Sequence, residues 1–257
     1  MSAAAVIEVE HLATRYGDSI IHEDINLSIQ RGEVFAIAGA SGCGKSTLLR
    51  AMALLTPFTA GRIRVLGQDL AQLDEVAANR LRQRWAMMFQ GGALFSGLTV
   101  AENVALPFSE HTKLSAQEIA ELVQIKISLA GLPADAGAKY PRELSGGLKK
   151  RAALARAIAL DPEILFLDEP SAGLDPLAAS ALDALVLNLQ QSLQLTIVIV
   201  THDLDLLWRV TDRVAVLGEK RVLALGTMHE LSTASHPLVR EYFHGPRGRV
   251  LQEEYGI

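Results

Sequence analysis

Short apolar runs alternate along the chain with stretches whose apolar positions recur at helical spacing, the arrangement expected of a parallel sheet covered by helices. Four runs read as strands: Val34 to Ala38, Trp85 to Phe89, Ile164 to Leu167 and Ile197 to Val200. Three of these are unbroken series of β-branched or bulky residues, as strands buried on both faces require, and are predicted to be central. Between Ile7 and Ile29 the alternation is weaker and breaks at Tyr16-Gly17-Asp18, which predicts a turn between two antiparallel strands and a small β layer beside the parallel core. From about Leu98 to Arg156 the texture turns helical, with Ser115 and Glu118 at capping-box spacing and Gly131 placed to end the helix they begin. Beyond Gly226 the pattern weakens. From His236 the chain mixes Pro, Gly and Arg with Leu238, Tyr242, Phe243, Val250 and Leu251, an apolar set suited either to packing locally or to gripping a neighbouring copy.

Composition narrows the class. At 257 residues, 49% hydrophobic and 21% charged, the chain can bury one large core. A net charge of -5 supplies no basic field for nucleic acid, so none is expected as a partner. With no basic residue before Arg15 and no apolar run near 18 residues, neither a secretory leader nor a membrane span is expected. The single Cys43 allows no intrachain disulfide, which fits a reducing compartment.

The first chemistry lies at Gly39-Ala40-Ser41-Gly42-Cys43-Gly44-Lys45-Ser46, a G-x-x-x-x-G-K-[ST] loop directly after an apolar strand and directly before the helical run that starts at Thr47. Glycines let successive N–H groups turn inward onto phosphate oxygens, and the helix N-terminus adds partial positive charge. Lys45 is then expected on the β and γ phosphates and Ser46 on magnesium. Cys43 stands where a helix N-terminus can lower a thiol pKa, or is simply a small residue whose side chain points away.

A second acidic element closes the strand Ile164 to Leu167 with Asp168-Glu169. Side chains alternate along a strand, so the pair divides its labour: Asp168 suits a magnesium ligand acting through its water shell, and Glu169 a general base for the attacking water.

Between and after these motifs come Leu144-Ser145-Gly146-Gly147 at the head of a predicted helix (Leu148 to Leu160), Gln90 after a strand, Ser171-Ala172-Gly173-Leu174-Asp175, and His202 after the strand ending at Val200. In this order and spacing the chain, over roughly residues 6–230, resembles the nucleotide-binding domains of ABC transporters. The resemblance implies an α/β P-loop NTPase fold with a RecA-like parallel sheet, an antiparallel β subdomain and an inserted α-helical subdomain. It places the ATPase domain at 1–235, with its core at about 1–90 and 157–235, the helical subdomain at about 91–156, and an extension at 236–257. It implies that Tyr16 stacks on adenine, that residues 39–47 bind the phosphates, and that Gln90 reaches the metal as a Q-loop residue. It further implies that Asp175 belongs to a D-loop, that His202 is the switch histidine, and that Ser145, Gly146 and Gly147 close on the nucleotide held by a second copy. Lys45, Gln90, Glu169 and His202 are then the catalytic set, and Ser46, Gln90 and Asp168 the metal set. Leu148 departs from the Gln that many members carry there, which is expected to tune turnover without abolishing it.

Within that family, Phe89-Gln90-Gly91-Gly92-Ala93-Leu94-Phe95, Glu110 to Leu114 and Leu148 to Ala153 look like the ATPase of Mce-associated lipid transporters. That likeness implies a phospholipid cargo, a separate membrane permease, a periplasmic Mce-domain protein, a STAS-domain protein as a further candidate partner, and a place on the cytoplasmic face of the bacterial inner membrane. The apolar set Ala93, Leu94, Phe95, Leu98, Val100 and Val104 could receive a permease helix or pack inside the helical subdomain. Arg80, Arg82 and Arg84 could meet headgroups or remain solvated. The alternatives are an ABC ATPase for another substrate, one outside transport, against which a single cassette without heptad insertion argues, or a regulatory module without turnover, which Glu169 and His202 oppose.

Overall fold

A computed structural model describes residues 5–244. In chain order the strands are β1 (Ala5–Tyr16), β2 (Ser19–Gln30), β3 (Val34–Gly39), β4 (Ala60–Val65), β5 (Gln68–Asp69), β6 (Trp85–Met88), β7 (Ile164–Asp168), β8 (Thr196–Val200), β9 (Arg213–Gly218) and β10 (Arg221–Gly226). The helices are α1 (Lys45–Met52), α2 (Glu75–Arg82), α3 (Val100–His111), α4 (Ala116–Leu129), α5 (Gly146–Ala157), α6 (Pro176–Leu193), α7 (Leu204–Val210), α8 (Met228–Ser232) and α9 (Pro237–His244). Contacts divide the chain into two compact units, Met1–Asn79 with Thr196–Ile257, and Arg80–Leu195.

In the first unit the strand order is β5-β4-β1-β2-β10-β9-β3-β8. β3 runs parallel to β8 and to β9, and all of β3 and β8 is buried, which is why their sequences carry apolar residues without alternation. β1 and β2 form the antiparallel layer, closing at Tyr16 and Ser19 around Gly17 at φ 56°. In β2, Ile25, Leu27 and Ile29 alternate inward with Asn26 outward. β4, β9 and β10 carried no recognised signal: Arg62, Arg64, Arg213 and Arg221 interrupt short runs, and only pairing makes them strands. Arg213 donates to the buried carboxylate of Glu33 at 3.1 Å, whose pKa burial nevertheless pushes up. α9 lays Val239 and Phe243 onto Ala36, Ala38, Leu207, Val214 and Val216. The described part of the tail therefore packs locally, while Val250 and Leu251 lie outside the described residues.

In the second unit β6 and β7 pair in parallel, Met88 opposite Leu167, and Trp85 meets the Phe166 ring edge-on at 6.3 Å. α4 begins at Ser115 with the expected capping box and stops at Ala130, before Gly131 at φ 63°. α5 starts two residues before the predicted Leu148, because Ser145 caps it, and ends at Ala157 where the chain turns toward β7. Val100, Val104, Phe108, Val123 and Ile127 form this unit's helical core with Ala152 and Ala155 of α5. Each large side chain buried there contributes about 1.5–3 kcal/mol. Arg84 is not a free headgroup contact: its Nε and Nη2 meet Glu163 Oε1 at 2.7 and 2.5 Å.

Candidate nucleotide site

The phosphate loop lies in the first unit, between β3 and α1. Three of its glycines have positive φ, Gly39 at 141°, Gly42 at 83° and Gly44 at 100°. A Cβ on Gly39 would stand 2.4 Å from the Leu217 carbonyl oxygen, and one on Gly44 2.5 Å from His22 Nε2, so side chains are excluded by contact as well as by conformation. α1 starts without a side-chain cap, leaving its first N–H groups and the positive end of its dipole to the loop. Lys45 is buried and donates to the carbonyls of Gly39 at 2.9 Å and Ala40 at 3.0 Å, holding the loop closed. Ala40, Ser41 and Gly42 are exposed, and Ser46 and Thr47 half-buried.

Burial sets the chemistry of one residue of the loop and of one beside it. Burial pushes the Cys43 thiol up, outweighing the nearby Lys45 charge, so the helix N-terminus does not activate it. His22 is fully buried against Gly44, Nδ1 hydrogen-bonded to Thr14 Oγ1 at 2.7 Å and Nε2 without a hydrogen-bond partner among the described residues. Burial drives its pKa from 6.5 to about 4, so the imidazole is neutral. Alternation did not reveal it: His22 has the opposite parity to the inward Ile25, Leu27 and Ile29, and comes inward through the register shift between the Leu12–Ile25 and Thr14–His22 pairs.

Elsewhere in the first unit, Tyr16 ends β1 with 84% of its surface exposed, so it does not pack on the core. His202 is exposed between β8 and α7.

In the second unit, β7 ends at Asp168, only 3% exposed, and the chain turns at Glu169 with φ 49°. A left-handed non-glycine residue costs about 1–2 kcal/mol, a strain that clusters at functional turns. Gln90 is exposed after β6. Lys150, a buried charged residue of α5, donates to the Gln90 carbonyl and reaches that of Glu169 at 3.5 Å. Burial lowers the Lys150 pKa, and the Glu169 charge pulls it back up.

The segment after Gln90 is held by side chains. Arg156 donates to the carbonyls of Ala93 at 2.8 Å and Gly92 at 3.0 Å, its guanidinium 5.9 Å from the Phe95 ring centroid. Asn103, wholly buried, accepts from the Phe95 N–H at 2.8 Å and donates to the carbonyls of Phe95, Leu98 and Thr99 at 3.1, 3.2 and 2.9 Å. Of the apolar set that follows Gln90, Val100 and Val104 are core and Leu94 packs on it, whereas Phe95 remains 58% exposed.

Ser145 caps α5 through the Leu148 N–H at 3.4 Å. Neither Gly146 nor Gly147 has a positive φ, and a Cβ on either would make ordinary contacts, 3.4 Å to Leu174 and 3.5 Å to Ala178. Those contacts set the signature glycines beside the segment where Asp175 caps α6, its carboxylate accepting from the Ala178 N–H at 2.9 Å. Leu148 packs on the helical core, which explains an apolar residue there.

Taken singly, the hydroxyl of Ser46 in the first unit and, in the second, the buried carboxylate of Asp168 and the amide oxygen of Gln90 are hard oxygen donors of the kind magnesium takes. Among the described residues no group of three or more His, Cys, Asp or Glu gathers into a metal cage. No described helix is long and apolar enough to cross a membrane.

The family described as ABC transporter matches residues 22–172. The chain is 38% identical to the intermembrane phospholipid transport system ATP-binding protein MlaF of Haemophilus influenzae, over 97% of this chain and 94% of that protein. It is also 38% identical to the probable ribonucleotide transport ATP-binding protein mkl of Mycobacterium leprae, over 96% of this chain and 71% of that one. A dimeric post-hydrolysis structure of the ATP-binding cassette MJ0796, bound to ADP and phosphate, superposes with a TM-score of 0.78 at 28% identity, covering 86% of this chain and 98% of that one. With its phosphate loop, its acidic strand end and its signature helix all within that framework, this chain belongs to the ABC transporter family as an ATP-binding, ATP-hydrolysing subunit.

Proposed function

We propose that the chain powers phospholipid transport between bacterial membranes, working as a pair of copies on the cytoplasmic face of the inner membrane beneath a separate permease. The observation that carries this reading is the end-to-end match to the phospholipid transport ATPase, 97% of one chain against 94% of the other. The ribonucleotide reading rests on equal identity but spans only 71% of that relative. A periplasmic Mce-domain protein and a cytoplasmic STAS-domain protein are the further partners of the proposal.

In this reading the phosphate-loop N–H groups and Lys45 hold the β and γ phosphates, and Tyr16 offers its open face to adenine. Ser46, Asp168 and Gln90 would hold magnesium, whose charge would offset that of the phosphates when bound. Glu169 accepts the proton of the attacking water, and His202 contacts the transferred phosphoryl group. Ser145, Gly146 and Gly147 of a second copy close over the nucleotide, with Asp175 lining the dimer. Gly146 and Gly147 support this last role, because nothing among the described residues requires glycine at either position. What their lack of side chains leaves is bare backbone at a helix N-terminus, which an anion can approach. Phe95, exposed on a loop fixed by Asn103 and Arg156, suits a permease helix.

The test is to purify the chain with its permease from native membranes, identify the co-purified lipid, and compare hydrolysis in wild type and Glu169→Gln. Bound phospholipid and an activity loss of about 100-fold or more support the proposal. A solute-type permease without lipid overturns the cargo, and unchanged hydrolysis overturns the base.

A further inference from the structure

Lys150 is used by nothing in the proposed mechanism, yet its placement is costly. A lysine left 7% exposed needs acceptors for its ammonium, and among the described residues no carboxylate is hydrogen-bonded to it. It takes two backbone carbonyls from segments 79 residues apart: those of Gln90, which opens the Phe95 loop, and of Glu169, at the turn after β7. Gln90 is exposed, and Glu169 sits in a strained left-handed conformation that its surroundings must enforce. The Glu169 carbonyl also accepts from the Ala172 N–H at 3.2 Å, so holding that carbonyl fixes the orientation of the whole turn.

The loop beyond Gln90 is stiff as well as tethered. The Gly92 N–H donates to the Phe89 carbonyl at 2.7 Å, Arg156 fixes Gly92 and Ala93, and Asn103 fixes Phe95 to Thr99. Two of these three polar side chains, Lys150 and Arg156, stand on α5, the helix that Ser145 caps. A displacement of Phe95 is therefore passed along a stiff loop to Gln90, and from there through one side chain to the Glu169 backbone.

We propose that Lys150 is a positioning residue, a strap joining the Gln90 and Glu169 carbonyls so that the Phe95 loop and the turn carrying the base move together. The proposal rests on the assignment of Glu169 as general base, and its test separates the two. A methionine at 150 fills the space without donating, whereas Lys150→Arg keeps both charge and donors.

The first measurement is hydrogen exchange on the full-length chain without nucleotide. Lys150→Met is expected to speed exchange at both Gly92 and Ala172 by about tenfold, with Lys150→Arg close to wild type. Acceleration at only one of these amides, or at neither, overturns the strap. The second is steady-state hydrolysis with ATP binding measured separately: Lys150→Met is expected to lower kcat about tenfold with the ATP Kd unchanged, and Lys150→Arg to restore most of it. A parallel fall in ATP affinity, or wild-type kcat, also overturns it. Glu169→Gln, run alongside, reports on the base alone. If that variant still hydrolyses ATP while the exchange result holds, the strap survives and the base assignment fails. Should Lys150→Met fold poorly, Lys150→Gln carries the same exchange test.

Discussion

The phosphate loop and the loop after Gln90 solve one problem, holding irregular backbone in a fixed shape, by opposite means. The first is built from its own sequence: three glycines at positive φ and a lysine that folds back onto the carbonyls of residues five and six positions earlier. The second is shaped from outside, by Asn103, Lys150 and Arg156, each reaching in from a helix. A loop that must wrap phosphates needs its N–H groups unobstructed, so side chains are removed. A loop that must transmit a push needs stiffness, which buried hydrogen bonds to side chains supply.

The contrast breaks most sharply at Gly39. An alanine there would carry a Cβ 2.4 Å from the Leu217 carbonyl at φ 141°, and a loss of about 4 kcal/mol in unfolding free energy together with loss of ATP binding is expected by denaturant titration and nucleotide fluorescence. Asn103→Leu is the equivalent blow to the other loop. It removes four hydrogen bonds at a fully buried site and is expected to cost about 3 kcal/mol while leaving ATP affinity unchanged. A fall in ATP affinity in that variant would erase the distinction between the two loops.

A smaller effect sharpens the phosphate-loop side. His22 titrates at about 4 when folded against an ordinary 6.5, so between those values the unfolded chain binds a proton the folded chain refuses. The stability this residue provides is therefore complete above pH 6.5 and is lost as pH falls toward 4, by about 2 kcal/mol between pH 7 and 5. Replacing His22 with Phe should flatten that part of the stability-against-pH curve, and an unchanged slope would assign it to other groups. The smallest effect is at the cap of α3. Thr99 accepts from the Glu102 N–H at 3.2 Å, and Thr99→Ala should cost about 1 kcal/mol, measured by thermal unfolding, without altering ATP affinity.

Legibility follows the same division. The phosphate loop could be read directly because its function lies in consecutive residues: a strand, glycines at fixed offsets, then a lysine. Asp168 could be read as the carboxylate closing an apolar strand, whereas Glu169 lies beyond that strand in a left-handed turn that side-chain alternation does not describe. Asn103 left a fainter signal, an amide within the Val100, Val104 and Phe108 stripe where an apolar residue belongs. Lys150 left almost none, since Leu148-Lys149-Lys150-Arg151 looks like a basic helical turn and nothing in its spacing distinguishes the lysine that goes inward. The alternatives open for Arg84 and Cys43 were decided by the structure for a related reason. Arg84 meets a carboxylate 79 positions away, and the Cys43 environment is set by burial that a local dipole argument does not contain.

The sequence by itself determined the parallel core, the antiparallel layer, the helical segment and the glycine-rich loop between β3 and α1, because strand and helix periodicity and backbone freedom act over a few neighbouring positions. Only the tertiary structure decided which polar side chains are buried and what they hold. A buried lysine, histidine or asparagine finds its partners through packing across tens of residues, and burial is the quantity that turns an ordinary polar residue into one that fixes a loop.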